Sequence, residues 1–206
     1  MQNRYTGDIG DFGKLGLLRV LQESGLTIGV NWYLVPDENH NSDWNNDLSP
    51  WEAPAVFGKE SFGSGASEML GRLLGLCDDR SKTYYIGGYS LAGLFALWAA
   101  YQTDVFKGVA AASPSVWFPG FAEYMEKNEI RTGTVYLSLG DREEKARNPV
   151  MAPVGDRIRE AHALLKERGV NCILEWNEGN HFKDPDLRTA KAFAWVLSSG
   201  NDSDFG

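Results

Sequence analysis

A chain of 206 residues with 43% hydrophobic and 23% charged residues is long enough for one domain with a substantial core. Its net charge of −8 comes without a basic stripe, so nucleic acid is not expected as a partner, because phosphate contacts carry most of such binding. No apolar run reaches the roughly 18–20 residues that span a bilayer, so no membrane partner is expected.

Phe12–Glu23 has apolar residues at helical spacing (Leu15, Leu17, Leu18, Val20, Leu21), and Gly25 suits the end of that helix. Leu26–Val35 reads as a strand. The polar stretch Pro36–Pro50, rich in Asn, Asp and Ser, reads as loop. A helix is predicted at about Gly65–Leu76. From there on, short apolar strands alternate with helices. Thr83–Ile86 is a strand, then a helix runs from Leu91 to about Gln102. Phe106–Ala111 is a strand, followed by a helix at about Gly120–Asn128. Thr134–Leu139 precedes a helix at about Val154–Arg168, and Cys172–Trp176 precedes a helix over Leu187–Leu197. Near-continuous apolar strands with helices between them predict an α/β fold with a parallel sheet covered on both faces.

The chemistry concentrates in Gly87-Gly88-Tyr89-Ser90-Leu91-Ala92-Gly93, where a strand runs into a helix through a serine flanked by small residues. That is the context of a nucleophile elbow, with Ala92 standing where the common motif has glycine. A serine hydroxyl needs a base, and a hydrolase of this chain order places a histidine after the last strand. His181 lies there, His162 is expected on a solvated helix face, and His40 precedes the serine. The acid should follow the penultimate strand, where Asp141, Glu143 and Glu144 stand together. Glu143 is the first choice, three residues beyond Gly140, and Asp141 the second. Two backbone N–H groups are needed for an oxyanion hole. Leu91, next to the serine, is expected to supply one, and the region of Trp44 the other.

Cys77 and Cys172 are far apart in sequence and read as buried free thiols. With three histidines and no close Cys/His spacing, neither a metal site nor a cofactor is expected. Met1 to Asp8 lack the apolar core of a signal peptide, which predicts a cytoplasmic location.

From about Asp43 to Leu197 the chain resembles bacterial esterases related to esterase D and the enterochelin esterases. The resemblance rests on Asp43-Trp44-Asn45-Asn46-Asp47-Leu48-Ser49-Pro50-Trp51, the elbow around Ser90, Ser113-Pro114-Ser115-Val116-Trp117, Leu137-Ser138-Leu139-Gly140-Asp141 and Gly179-Asn180-His181-Phe182. It implies an α/β-hydrolase fold and hydrolysis of a small-molecule ester through an acyl-enzyme, with Ser115 and Trp117 lining the substrate pocket. A catalytically impaired binding module and an acyltransferase using the same residues are the alternatives.

Residues 1–42 resemble the start of a different, uncharacterised bacterial family. They are expected to be a helix–strand segment of foreign origin that replaces the first strands of the sheet, with residues 43–206 forming the hydrolase domain. Such a replacement leaves a sheet edge to be covered and favours a homodimer.

Overall fold

The computed structural model describes residues 44–56, 58–145 and 147–199. The helix predicted over Phe12–Glu23, the strand over Leu26–Val35, His40 and the proposed seam at residue 42 lie outside them. The described elements begin with the short helix α1 (Trp44–Asp47) and α2 (Ala66–Leu74). Then β1 (Tyr84–Tyr89), α3 (Leu91–Gln102), β2 (Phe106–Ala112), α4 (Phe121–Lys127) and β3 (Thr134–Gly140) follow. A 3₁₀ turn (Glu143–Lys145), α5 (Val154–Glu167), β4 (Asn171–Asn177) and α6 (Pro185–Ser199) complete the set.

The four strands form one parallel sheet in the order β1-β2-β3-β4. Alternation of side chains along the strands sorts the core into two layers. Ile86, Val109, Ala111, Val135, Leu137, Leu139 and Cys172 belong to the larger layer with α3, α5 and Phe121 of α4. Ala110, Ala112 and Tyr136 join Ala192 and Val196 of α6 on the opposite face. The crossover helices α3, α4 and α5 thus pack on one face, and α6, after β4, packs on the other. Helices therefore cover both faces.

Local sequence explains each helix. In α3, Ala and Leu dominate and every residue from Gly93 to Tyr101 is buried, as suits a helix apolar all round. Helix α5 is one-sided: Val154, Ile158, Ala161 and Leu165 face inward at helical spacing. It ends in a Schellman motif, with Gly169 at φ +78°, its N–H on Lys166 O, and Val170 N–H on Leu165 O.

Three expectations need correction. The Asn/Asp stretch expected to be loop throughout contains α1, whose first turn closes by the Leu48 N–H to Trp44 O bond. That helix has no buried residue, so hydrophobic periodicity offered no sign of it. His162 is half-buried rather than solvated, because Nε2 lies 3.4 Å from Cys172 O on β4. Cys77 is only half-buried, whereas Cys172 is buried and its thiol is pushed up to about 12 by burial.

Candidate active site

The site lies at the C-terminal ends of the strands, where open α/β sheets bind their ligands. At the end of β1 the chain turns into α3 through Ser90, whose backbone sits at φ 57°, ψ −121°. A non-glycine residue there is strained and persists only when its surroundings fix it. Two backbone bonds fix it from β2 and beyond: Ser90 N–H donates to Ala112 O at 3.1 Å, and Ser115 N–H donates to Ser90 O at 3.1 Å. Close packing explains the small neighbours. A Cβ on Gly88 would stand 2.7 Å from the carbonyl group of Ala92, so no side chain fits where strand and helix meet.

From this turn a chain of side-chain hydrogen bonds runs inward. Ser90 Oγ lies 3.0 Å from His181 Nε2, and His181 Nδ1 lies 2.7 Å from Glu143 Oε2. Glu143 is carried by the 3₁₀ turn after β3, and His181 by the loop after β4. The other carboxylate oxygen, Oε1, accepts from Gly140 N–H at 2.7 Å, Ser113 Oγ at 2.9 Å and Arg188 Nη1 at 3.1 Å. Burial pushes this carboxyl up. The bonds from His181, Gly140 and Ser113, with the attraction of the imidazole, outweigh it and hold the group below its ordinary range.

Asp141, the second choice of acid, is exposed and accepts Gly179 N–H at 2.8 Å. With Arg142 N–H on Gly179 O at 3.1 Å, this ties the acid-bearing turn to the loop ahead of His181. The imidazole is held from β1 as well, since Tyr89 O–H donates to His181 O at 2.7 Å and its ring lies 5.1 Å from the imidazole.

Ser115 is buried and places its Oγ 3.4 Å from Ser90 Oγ. Trp117 is half-buried, 6.2 Å from the ring of Phe62, so the segment after α1 packs onto the Ser113–Trp117 loop. Leu91 is the first residue of α3, and N–H groups in a helix's first turn have no acceptor within the helix. Trp44 opens α1 with 62% of its surface exposed. Among the described residues, no three His, Cys, Asp or Glu side chains group together as a metal site would require.

Sequence reasoning overlooked Arg188 and Tyr89. Arg188 falls in the stripe Arg188, Ala192, Val196, three positions four apart on the face of α6 that meets the sheet. A charge inside an apolar stripe was the available signal.

No family model matches the chain. A stretch of 124 residues is 27% identical to an uncharacterized protein, YbbA, of Bacillus subtilis, covering 56% of this chain and 50% of that protein. The chain thus spans about half the length of the curated relative it matches. Among solved structures, it resembles an IroE-like serine hydrolase from Shewanella oneidensis, with a TM-score of 0.61 and 16% identity over 77% of this chain and 58% of the other. It also resembles the siderophore hydrolase EstA from Aspergillus nidulans, with a TM-score of 0.60 and 21% identity over 92% of this chain and 79% of the other. The fold is that of the α/β hydrolases. Among the described residues no helix is long and apolar enough to cross a membrane.

Proposed function

We propose that the chain is a serine esterase that cleaves carboxylic esters through an acyl-enzyme. The observation that carries this reading is the unbroken relay from Ser90 Oγ through both nitrogens of His181 to Glu143. It sits behind a strained serine at the head of a helix. In this reading Ser90 Oγ attacks the ester carbonyl carbon while its proton passes to His181 Nε2. Glu143 keeps the Nδ1 proton in place and stabilises the imidazolium. The tetrahedral oxyanion is met by the Leu91 N–H, with the Trp44 region as the proposed second donor. Collapse breaks the bond to the alcohol, and His181 returns its proton to the departing oxygen. Water then repeats the sequence on the acyl-serine, releasing the acid and restoring Ser90.

Ser115 and Trp117 are assigned to the substrate side of the nucleophile. Because two proteins of like fold are a serine hydrolase and a siderophore hydrolase, siderophore-type esters are the first natural substrates to assay. The test is direct. The protein should release a burst of p-nitrophenol from a p-nitrophenyl ester and take one fluorophosphonate label, both lost in Ser90→Ala. A folded protein giving neither burst nor label sinks the reading.

A further inference from the structure

We infer that Arg188 is a positioning residue that compensates the charge of Glu143 and holds the His181 loop in register with it. The inference rests on the hydrolase reading above and goes beyond it. Arg188 is 2% exposed, on the sheet-facing side of α6. Burying a guanidinium is costly unless it is paired and hydrogen-bonded, and here it is paired with Glu143 and both terminal nitrogens have acceptors. Nη1 reaches Glu143 Oε1 at 3.1 Å, Ser113 Oγ at 3.3 Å and Tyr89 Oη at 3.2 Å. Nη2 donates to the carbonyls of Glu178 and Asn180, each at 3.1 Å.

Each of these contacts bears on the imidazole by a different route. The Glu143 contact anchors the carboxylate by the oxygen that His181 does not use. The two carbonyls belong to the loop that delivers His181. Tyr89 carries the contact on to the His181 carbonyl. The guanidinium serves the carboxylate from Nη1 and the two carbonyls from Nη2 in one rigid plane, whereas an ammonium has all its donors on a single nitrogen.

Charge adds a second consequence. Glu143 and Arg188 together are neutral, so the imidazolium formed during reaction meets a compensated pair instead of a bare carboxylate. Among the described residues, the titratable and charged groups around the imidazole are Glu143 from the 3₁₀ turn, Tyr89 from β1 and, behind Glu143, Arg188 from α6. Asp141 is engaged with Gly179, and Lys183 pairs with Glu178. Without Arg188 the carboxylate favours the imidazolium more strongly. Since only neutral imidazole is a base, the acid limb of kcat/KM must then move to higher pH.

The test measures full pH–rate profiles of the intact protein on a p-nitrophenyl ester for wild type, Arg188→Met, Arg188→Lys and Tyr89→Phe, with a thermal melt of each. Arg188→Met should lower kcat about 100-fold with little change in KM, and move the acid limb up by about one pH unit. Arg188→Lys should return the limb towards wild type while recovering only part of kcat, because it keeps the charge and loses the fork. Tyr89→Phe keeps the ion pair, so it should lower kcat several-fold with the limb unmoved. Should Arg188→Met fail to fold, the Lys and Phe variants decide the matter by the same two readouts. Folded Arg188 variants with wild-type kcat and an unmoved limb overturn the inference and leave the hydrolase reading intact. An inactive, unlabelled wild type overturns the hydrolase reading itself and this inference with it.

Discussion

Two serines follow neighbouring parallel strands with positive φ, Ser90 after β1 at 57° and Ser113 after β2 at 41°. Their surroundings separate them. Ser90 is half-buried with its hydroxyl on His181, whereas Ser113 is buried with its hydroxyl on Glu143 and within reach of Arg188. Two strand ends of positive φ thus present one hydroxyl to the imidazole and one to the carboxylate behind it. Backbone strain alone does not mark a nucleophile; the partner of the side chain does.

The sharpest way to break that comparison is to delete each hydroxyl in turn. Ser90→Ala should reduce ester turnover on the order of 10⁶-fold, as loss of a triad nucleophile does, and change stability by less than about 1 kcal/mol. Ser113→Ala should do the reverse. It should cost roughly 1–3 kcal/mol, because Glu143 and Arg188 lose a buried partner, with turnover down by about tenfold. Ester assays and urea denaturation on both variants give the four numbers. Equal losses of activity would show that the two strand ends are not divided as described.

The next largest effect separates the carboxylates on either side of Arg142. Glu143→Gln should lower kcat by about 10³–10⁴-fold, since an amide cannot hold the tautomer as a carboxylate does. Asp141→Asn should leave turnover within about tenfold and cost roughly 1 kcal/mol through its bond to Gly179 N–H. A larger rate loss in the Asp141 variant would reverse the assignment of the acid.

The sheet was legible in the sequence because its strands are continuous apolar runs closed by turn residues. The strand read at Thr83–Ile86 continues to Tyr89, since Gly87 and Gly88 look like turn residues yet remain in the ladder with Ala110 and Ala111. Those glycines are there for the close approach of α3 and α6, which one-dimensional patterning does not report. For the candidate site, order along the chain brought out Ser90, His181 and the acidic turn. It left Asp141 and Glu143 open, because both follow Gly140 and only the folded turn shows Asp141 on Gly179 N–H and Glu143 on the imidazole. The stripe of α6 marked Arg188 as a buried charge, but the roles of Arg188 and Tyr89 were not legible. Their partners are 45 and 92 residues away along the chain, and only the packed structure brings such groups together.

The smallest expected effect lies in the acid stability of the buried side. The Glu143 carboxyl is lowered from its ordinary value in the folded protein, so the folded state favours the ionised form. Its contribution to stability is therefore complete above the unfolded value, near pH 4.5, and is lost as pH falls through the folded value. Nothing comparable is expected of Ser90, whose hydroxyl does not titrate in that range. Urea denaturation at a series of pH values should show wild-type stability falling more steeply below about pH 4.5 than that of Glu143→Gln. The difference in slope is bounded by one proton, about 1.4 kcal/mol per pH unit. Glu175 is also lowered, with burial opposed by bonds from Tyr136 and Lys191, but it is present in both proteins and cancels in the comparison. Parallel acid limbs would mean that Glu143 draws no net stabilisation from His181, Gly140 and Ser113. The buried end of the relay would then be held by the packing of the 3₁₀ turn and not by its charge.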